Sequence, residues 1–566
     1  MRPSTAHSGM GSASLDEERA AVRGQIFGHL AGFVLAPTVK ALADRGAFEP
    51  FEHAPRHEDD QDRGGVEFDA IAHRTHANRG YLRVALRLLA SAGWLVQHAR
   101  ENGRLVRYTM TEAGRVATQL APALYAEVLP FLPKALFLQD CLFGASEEPL
   151  LPSLRELVRR AEGRWGLDVE GAARDPDVTR DVKRRLLTHL DGVLVGPVMV
   201  ALARGGVFAA LERGPAAITA LPGNAPSLTC VLDLLATQGW ALRQGDRVEL
   251  TSAGRYAAQI ATAYGVTVSY LPLFTMLSTL LYGNPRFPHV DENGFEVLVD
   301  RAMNVWGSGG AHRNYFKKVD EIIIEIFNRP LHLQPRGICD MGCGDGSFLE
   351  HLYFVVRERT ARGSVLDQHP LVIVGADFNK VARRVTKQTL RHAGIPTYHV
   401  IFGDINRPAQ LASDLEKLGH DIHDLLHIRS FLDHNRPYSL LANYVGGTRK
   451  ARSTGAFAHL GKEILPDELE ENLVRHLRRW APYIGRFGLL ALELHTLPPE
   501  LTAAHPDKTP AIGYDGTHGY SDQYLVELDV FLECAREAGL RADPRYSARF
   551  PPSELATVSI NFFTAG

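Results

Sequence analysis

The chain has 566 residues, of which 45% are hydrophobic and 22% are charged, and its formal net charge is −3. This composition is typical of a folded protein with several domains and a sizeable core. The near-neutral charge excludes a global basic field that would attract nucleic acid or an anionic membrane.

Cysteine usage and the first residues indicate the compartment. Five scattered cysteines without a CxxC pair favour reduced thiols over a disulfide framework or a zinc finger. Residues 1–20 are small and polar, lack the apolar core of a signal peptide, and predict a disordered tail. No apolar run is predicted to span a bilayer. We therefore expect a cytoplasmic protein with no membrane partner.

The first half of the chain is an internal repeat. HLAG at 29–32 recurs as HLDG at 189–192, and LLASAGW at 88–94 recurs as LLATQGW at 234–240. TEAGR at 111–115 recurs as TSAGR at 251–255. Because these matches stand in the same order, they predict a duplicated unit.

Each unit is predicted to contain three helices followed by a short hairpin, the pattern of a winged helix. The predicted units cover 21–143 and 181–283, with a linker at 144–180, and an acidic exposed loop is expected at 52–65. The pattern resembles the N-terminal dimerisation domain of plant-type and bacterial O-methyltransferases. That resemblance implies a homodimer through these units.

The alternative role of a winged helix is DNA binding. The first unit has a few basic residues near its recognition helix, namely Arg74, His76, Arg79 and Arg83, whereas residues 225–229 at the matching place carry no charge. Since a DNA reader needs cations that neutralise phosphates, we expect a scaffold and no nucleic-acid partner.

The second half contains an apolar strand that ends in a carboxylate and runs into a glycine turn. GICDMGCGDGSFL at 337–349 places Asp340 before Gly342, Gly344 and Gly346, and a helix follows. Glycines permit the sharp turn and let a ligand lie against the backbone, facing the helix N-terminus. The spacing differs from the GxGxxG of dinucleotide sites. Because Asp340 would repel a pyrophosphate but can bind an ammonium, S-adenosylmethionine is the predicted cofactor.

Two further strands end in residues that can bind the nucleoside part of the same cofactor. LVIVGAD at 371–377 ends in Asp377, beside Phe378, and this carboxylate can accept both ribose hydroxyls. YHVIF at 398–402 leads to Gly403, Asp404 and Ile405. Asp404 is a candidate acceptor for the adenine amino group, with Ile405 against the ring.

These strand ends resemble motif I and the acidic motifs of class I methyltransferases. The resemblance implies an α/β fold, a Rossmann-like seven-stranded sheet with an antiparallel last strand, at 331–566 after a helical connector at 284–330. The remaining strands are predicted at 425–428, 488–495 and 557–563, and His427 is a further candidate cofactor contact. A generic doubly wound domain is the alternative.

Three stretches distinguish the chain from a plain O-methyltransferase, at 304–316, 426–438 and 514–524. Together they resemble the C-methyltransferase domains of polyketide synthases, closest to the apratoxin-like starter-module type in which a metal ion assists methylation of malonyl thioesters. The resemblance implies a small-molecule or carrier-bound acyl substrate.

The same resemblance implies a metal ion, with Fe or Mn suited to mixed nitrogen and oxygen ligands. His495 and Gln523 are the preferred ligands, and His518 and Asp522 come next. A metal that chelates a 1,3-dicarbonyl stabilises its enolate as a Lewis acid. The alternative is that these groups hydrogen-bond the substrate and a histidine acts as general base.

Three histidines are candidate catalytic residues, namely His427, His434 and His495, the first two as the base. Four side chains are candidate substrate contacts, namely Arg429, Phe431, Tyr438 and Tyr520. Core packing for the aromatics and an ion pair for the arginine are the alternatives. Three functions stay open: C-methylation of a β-carbonyl acid or thioester in natural-product biosynthesis, O-methylation of a small molecule, and a winged-helix regulator that senses S-adenosylmethionine.

Overall fold

The computed structural model describes residues 9–52, 65–144, 150–169, 176–439 and 449–566, with side chains at all of these except 9–14 and 311–314. The loop predicted at 52–65 lies outside the described residues except at its two ends. Parts of the linker predicted at 144–180 lie outside them as well.

The first unit contains a small antiparallel sheet of order β1-β3-β2. Its helices are α1 (Gly9–Ala43), α2 (Glu49–Glu52), α3 (Phe68–Thr75), α4 (Arg79–Ser91), α5 (Glu112–Val128), α6 (Phe131–Ala135) and α7 (Leu138–Phe143). Its strands are β1 (Val66–Glu67), β2 (Leu95–Arg100) and β3 (Leu105–Met110). Asn102 and Gly103 both have positive φ and turn the predicted hairpin.

Helix α1 begins inside the segment predicted as a disordered tail. Val22, Ile26 and Leu30 follow one another at four-residue spacing and are all buried. Such a buried face stabilises a long helix by packing, and polar residues further towards the N-terminus continue it to Gly9. The prediction of disorder for 1–20 is therefore wrong for residues 9–20.

The second unit repeats the arrangement, with a sheet of order β4-β6-β5. Its helices, with one from the linker, are α8 (Leu150–Glu162), α9 (Asp177–Arg204), α10 (Val207–Leu211), α11 (Ala225–Thr237), α12 (Ser252–Gln259), α13 (Gly265–Ser269), α14 (Leu271–Thr275) and α15 (Leu277–Tyr282). Its strands are β4 (Ala216–Ala217), β5 (Ala241–Gln244) and β6 (Arg247–Leu250).

Two helices are long and apolar enough to cross a membrane by length and composition, Leu15–Ala43 within α1 and Asp177–Arg204, which is α9. The sequence-based prediction that no run is long enough is thus wrong. Both have 78% of the relevant window buried inside the protein, so this is weak evidence for a membrane span. They pack against each other as the central pair of the helical half.

The C-terminal half is a mixed sheet between helices. Its helices are α16 (Arg301–Phe327), α17 (Ser347–Arg359), α18 (Lys380–His392), α19 (Pro408–Lys417), α20 (Pro466–Ile484), α21 (Pro499–Ala504), α22 (Ala511–Tyr520) and α23 (Leu528–Glu537). Its strands are β7 (Gly337–Met341), β8 (Val372–Asp377), β9 (Tyr398–Phe402), β10 (Leu425–Ser430), β11 (Phe457–His459), β12 (Lys462–Ile464), β13 (Leu489–Leu494), β14 (Leu540–Ala542), β15 (Ala548–Phe550) and β16 (Val558–Ala565).

The sheet order β14-β16-β13-β10-β7-β8-β9 confirms the predicted seven strands, and β15 adds to β16 as an eighth. Strands β7, β8, β9, β10 and β13 are parallel, while β16 is antiparallel to β13 as predicted. Strands β7 and β13 are buried throughout, as expected for parallel strands covered on both faces. The strand order reverses beside β7, which places a ligand site at its carboxyl end.

Both repeat units dock on this sheet domain. Helix α4 of the first unit packs on α21, α22 and β11, and α1 also packs on α22. Helix α13 of the second unit crosses α16 where Gly265 meets Gly307, so closely that a Cβ on Gly265 would lie 2.4 Å from the Gly307 Cα. The helical half therefore covers the carboxyl edge of the sheet.

Candidate active site

A cavity lies where β7, β10 and β13 end. Its wall combines the glycine turn, the segment after β10, helices α16 and α22, and the end of the second unit, through residues that include Tyr270, Arg301, Asn304, Tyr315, Asp340, Gly342, Gly344, Phe431, His434, Tyr514, His518 and Gln523. Parallel strands bring their carboxyl ends to one edge, which is why residues far apart in sequence meet here.

Asp340 is the buried acid of this wall. Its side chain is 2% exposed, and its Oδ1 atom has no hydrogen-bond partner among the described residues. Burial, and then the nearby charge of Asp377, raise the pKa of Asp340 to about 7. An unpartnered buried carboxylate oxygen is costly by itself, so this site fits a ligand that brings a cationic donor, such as the ammonium of S-adenosylmethionine.

The glycine turn has the backbone that the sequence predicts. Gly342, Gly344 and Gly346 have φ values of 84°, 56° and 80°, a region that side chains rarely adopt. The backbone N–H of Gly344 donates to Asp377 Oδ2 over 3.1 Å, which fixes the turn against the end of β8. Helix α17 starts directly after Gly346, so its N-terminus faces the cavity side of the turn.

The other predicted cofactor residues extend from Asp377 along the sheet edge. Phe378 is 73% exposed, and the N–H of Gly403 donates to the carbonyl of Asp377 over 3.1 Å. Asp404 Oδ1 accepts from the N–H of Asn406, and Ile405 is buried. None of these side chains is part of the cavity wall described above, so their contacts with ribose and adenine stay predictions.

The prediction that His427 contacts the cofactor or acts in catalysis is wrong. It lies in the body of β10 and is buried beside Trp480, with Nε2 3.1 Å from the carbonyl oxygen of Ile422. Side chains alternate along a strand, and this one points to the helix-covered face below the cavity edge.

His434 lies in the cavity wall, where the Glu493 carboxylate holds its ring in place. Its Nδ1–H donates to Glu493 Oε1, and its backbone N–H donates to Oε2 of the same carboxylate over 3.2 Å. Both side chains are buried. Since a carboxylate accepts but does not donate, it holds the Nδ1–H tautomer and leaves a lone pair on Nε2 of the neutral imidazole.

A second imidazole faces the first one. The ring centroids of His434 and His518 are 5.2 Å apart. Nδ1 of His518 donates to the carbonyl of Tyr514 over 2.7 Å. Burial, and then the charge of His434, lower the pKa of His518 to about 3, so this ring is neutral at physiological pH.

The predicted metal ligands do not converge. His518 and Gln523 line the cavity, but His495 points to the neighbouring strand, with Nδ1 near the Val526 carbonyl and Nε2 2.8 Å from Ser559 Oγ. Asp522 points to the first unit and accepts from Tyr81 Oη over 2.7 Å. Among the described residues, no three His, Cys, Asp or Glu side chains are grouped to hold a metal ion. The four-residue ligand set does not fit, and His495 is displaced as a catalytic candidate for the same reason.

Of the three aromatic residues predicted to contact the substrate, one lines the cavity and two lie outside its wall. Phe431 lines the cavity beside Tyr315, with ring centroids 6.1 Å apart. Tyr438 bonds to Glu468 away from the cavity, and Tyr520 is a core residue whose hydroxyl lies 3.0 Å from Thr38 Oγ1. Both are corrected to packing roles.

Arg429 is also a structural residue. It is buried, donates to Asp433 Oδ1 over 2.6 Å and lies over the ring of Trp480. Arg436, seven residues further along the chain, is buried as well and donates to Asn472 over 2.9 Å. The cavity instead contains Arg301, which the sequence reasoning missed although it lies just before the 304–316 stretch that it singled out.

The predicted recognition helix of the first unit packs against the sheet domain. Arg83 and Arg87 of α4 are buried against the sheet domain, where Arg83 pairs with Glu463 and Arg87 donates to Thr496. Arg74 and Arg79 pair with Glu49 and Asp69. These four cations therefore have protein partners, and the expected lack of a nucleic-acid partner stays a prediction.

Sequence models of three domain families match the chain in consecutive order. Residues 22–97 match the AprA N-terminal domain, residues 191–284 the AprA winged helix domain, and residues 296–561 the AprA MT2-like domain. No curated protein matches the sequence significantly.

Three similar solved structures are distant in sequence. The mitomycin 7-O-methyltransferase MmcR has 15% identity and a TM-score of 0.39, over 68% of this chain and 98% of that one. The dimethyltransferase RosA from Streptomyces davawensis has 14% identity and a TM-score of 0.35, over 68% and 99%. The CurJ carbon methyltransferase has 13% identity and a TM-score of 0.30, over 74% and 97%. At these TM-scores the likeness carries no argument about chemistry.

The buried acid and glycine turn at the end of β7 stand inside the matched MT2-like range, and the two repeat units contain the other two matches. The chain is therefore an S-adenosylmethionine-dependent methyltransferase, with successive ranges that match the AprA N-terminal, AprA winged helix and AprA MT2-like domains.

Proposed function

We propose that the chain methylates the carbon between the two carbonyl groups of a β-carbonyl acid or acyl thioester, in natural-product biosynthesis. The observation that carries the proposal is the His434–Glu493 pair in the wall of the cavity that Asp340 also lines. A carbon nucleophile requires the removal of a C–H proton, and this pair is built as a general base.

The proton route follows from the hydrogen bonds. Nε2 of His434 takes the proton from the substrate carbon, and the electron pair of that C–H bond becomes the enolate. Glu493 accepts from Nδ1 and stabilises the imidazolium that forms, because its negative charge lies in direct contact with the ring. S-adenosylmethionine, held by Asp340 and the glycine turn, supplies an electrophilic methyl group.

Other cavity residues suit the same substrate. Arg301 is the arginine of the described wall, where it pairs with Glu296 over 2.5 Å, and it is the candidate partner for a substrate carboxylate. Tyr315, Phe431 and Tyr514 give the cavity an aromatic side. Such a wall excludes water, which strengthens every charge interaction inside it.

O-methylation is the second candidate, because the same base would remove a hydroxyl proton. The discriminating experiment incubates the enzyme and labelled S-adenosylmethionine with malonyl and acetoacetyl thioesters and, separately, with small phenols. Mass spectrometry of fragments assigns the new methyl to carbon or to oxygen. If the methyl group is transferred to the phenols alone, the proposal of C-methylation is wrong and O-methylation takes its place.

The control for this experiment is His434→Gln, which keeps a polar side chain of similar size. We expect it to bind S-adenosylhomocysteine as the wild type does and to lose methyl transfer by about 10²-fold or more, the usual contribution of a general base. Unchanged transfer by this variant would contradict the role of His434.

A further inference from the structure

The second repeat unit contributes a tyrosine to the wall of the reaction chamber, the cavity at the ends of β7, β10 and β13. Tyr270 lies directly before α14, is 2% exposed and lines this chamber together with Gln523. The Nε2 atom of Gln523 donates to the Tyr270 hydroxyl over 2.7 Å. One hydrogen bond therefore joins the second unit to the segment that follows α22 in the sheet domain.

The direction of this hydrogen bond follows from its neighbours. Ser521 Oγ donates to the carbonyl of Thr517 over 2.7 Å, so its single proton is already used. Gln523 Nε2 lies 2.8 Å from the same Oγ atom, and two groups at this distance need one donor, which must be Gln523. The amide nitrogen therefore faces both hydroxyls, and the Tyr270 oxygen is an acceptor.

The proton of the Tyr270 hydroxyl is left available to a ligand. An amide N–H only donates, and within the described ranges this hydroxyl makes no hydrogen bond to an acceptor. Burial raises the pKa of Tyr270 and outweighs the opposing charge of Arg301, so the phenol keeps its proton at physiological pH. Because a buried donor is costly to leave unpaired, this part of the wall fits a ligand with an acceptor oxygen.

The segment that holds Tyr270 also holds the base. The backbone N–H of Gln523 donates to the carbonyl of His518 over 2.9 Å, and the N–H of Tyr524 donates to the carbonyl of His434 over 2.8 Å. Two consecutive residues thus connect the Tyr270 hydroxyl with the residue whose ring takes the proton. A base and a neutral donor in one chamber are the two groups that enolate formation needs.

We propose that Tyr270 is a catalytic residue, which donates a hydrogen bond to the substrate oxygen that becomes negative, and that Gln523 is the residue that positions it. The proposal rests on the proposed function for the identity of that oxygen. When His434 Nε2 removes the C–H proton, the electron pair of the C–H bond forms the enolate, and a carbonyl oxygen gains the negative charge. The O–H bond of Tyr270 stays intact throughout. The second repeat unit therefore completes the active site.

The test uses a stable oxyanion in place of the enolate. The probe is 4-nitrophenol, titrated with the enzyme and S-adenosylhomocysteine, because its absorbance distinguishes the bound anion from the neutral form. Tyr270→Phe removes the hydroxyl alone. We expect it to bind the anion about tenfold more weakly and to raise the apparent pKa of the bound probe by about one unit. With β-carbonyl substrates, kcat should fall by about 10²-fold at similar KM.

The matched control is Tyr264→Phe, which removes a buried hydroxyl of the same unit outside the chamber wall, 2.6 Å from His29 Nδ1. It should bind the anion like the wild type. All variants should bind S-adenosylhomocysteine equally, which reports an intact fold. Gln523→Met leaves the phenol its proton but not its fixed direction, so it should weaken anion binding by less than Tyr270→Phe does.

The outcomes separate this proposal from the proposed function. Anion binding by Tyr270→Phe like that of the wild type, or no binding by the wild type, overturns the role of Tyr270. A loss in Gln523→Met without one in Tyr270→Phe overturns it as well, because the amide would then be the donor. If Tyr270→Phe loses anion binding but methyl transfer goes to oxygen alone, the proposed C-methylation fails and the donor role of Tyr270 stands.

Discussion

Gly32 of α1 lies against the backbone of His189 in α9, so closely that a Cβ on Gly32 would be 2.2 Å from the His189 Cα atom. The contact is reciprocal, because a Cβ on Gly192 would be 2.4 Å from the His29 Cα atom. These residues are the ends of the two HLxG repeats. The duplicated motif is thus the crossing point at which the two units pair.

Hydrogen bonds repeat the same symmetry. His29 Nδ1 lies 2.6 Å from the hydroxyl of Tyr264, in the second unit, and His189 Nδ1 lies 2.8 Å from the hydroxyl of Tyr125, in the first. Reciprocal contacts of this kind define a two-fold, isologous interface. The units form it within one chain, and a homodimer through these units stays a prediction.

Substitution at this crossing should loosen the helical half. Gly32→Val places branched carbon atoms where the His189 backbone stands, and such overpacking costs about 1–3 kcal/mol. We expect a lower urea midpoint by circular dichroism. The matched control is Gly309→Ala in α16, where a Cβ meets no atom within 4 Å. Equal midpoints for Gly32→Val and the wild type would show that the close crossing is not needed.

Cofactor binding should strengthen as the pH rises. The pKa of Asp340 is raised to about 7 by burial and by Asp377, so below that pH the carboxyl is neutral and cannot pair with an ammonium. We expect S-adenosylhomocysteine affinity, measured by calorimetry, to increase from pH 6 to pH 8. Asp340→Asn should bind weakly and without this pH dependence, whereas Asp424→Asn, at a surface ion pair, should retain it. A pH-independent wild type would contradict the assignment.

Glu493 should act through His434. Glu493→Gln can still accept from Nδ1 but cannot stabilise an imidazolium, so we expect kcat to fall by about 10²-fold with S-adenosylhomocysteine affinity unchanged. Glu493→Asp, which keeps the charge, should recover part of the rate. The control is Glu468→Gln, whose partner Tyr438 lies outside the cavity wall.

The parts predicted correctly from sequence are local ones. The turn at Gly342 and Gly344 needs positive φ over a few residues, and the spacing of glycines after an acid states this directly. The repeat was visible because its motifs are short and ordered. Strand identity also followed from apolar runs, since strands covered on both faces have few polar residues.

The errors concern side chains placed by contacts between distant segments. His495 follows β13 in sequence, but its direction depends on Ser559 of the neighbouring antiparallel strand, which no local pattern specifies. Glu493, two residues before His495, was not among the residues predicted for the site. A carboxylate in a strand otherwise made of Leu and Ala was the available signal, because a buried charge needs a partner.

The buried pair Arg429–Asp433 should support the loop that presents His434. His476 also lies 2.8 Å from Asp433 Oδ1, and although burial raises the pKa of this carboxyl, Arg429 and His476 lower it overall. A lowered carboxyl pKa gives stability that is present at neutral pH and lost as the pH falls through that pKa. Asp433→Leu should cost about 3–5 kcal/mol by leaving Arg429 buried and unpaired.

The double variant Arg429→Met with Asp433→Leu distinguishes pairing from packing. Replacing a buried pair by apolar side chains is often close to neutral, so the double variant should recover most of the urea midpoint that Asp433→Leu loses. A double variant less stable than the single one would show that Arg429 stabilises the fold mainly through its contact with Trp480.

Two histidines that the sequence grouped as metal ligands should behave differently. His495→Ala removes hydrogen bonds to Val526 and Ser559 in the core, so it should cost about 1–3 kcal/mol of stability while the folded enzyme keeps its activity. His518→Ala removes a ring that lines the reaction chamber, so it should lower methyl transfer by more than the loss of its hydrogen bond to the Tyr514 carbonyl destabilises the fold. Urea midpoints and single-turnover rates measure the two effects.

Elemental analysis of the same proteins tests the metal independently of activity. If the wild type is purified with Fe or Mn, the ligands must include groups that face the chamber, and His518→Ala should lose the metal while His495→Ala keeps it. The opposite pattern would mean that His495 turns away from Ser559 when the metal binds. It would support His495, one of the two preferred ligands predicted from sequence, and would exclude His518.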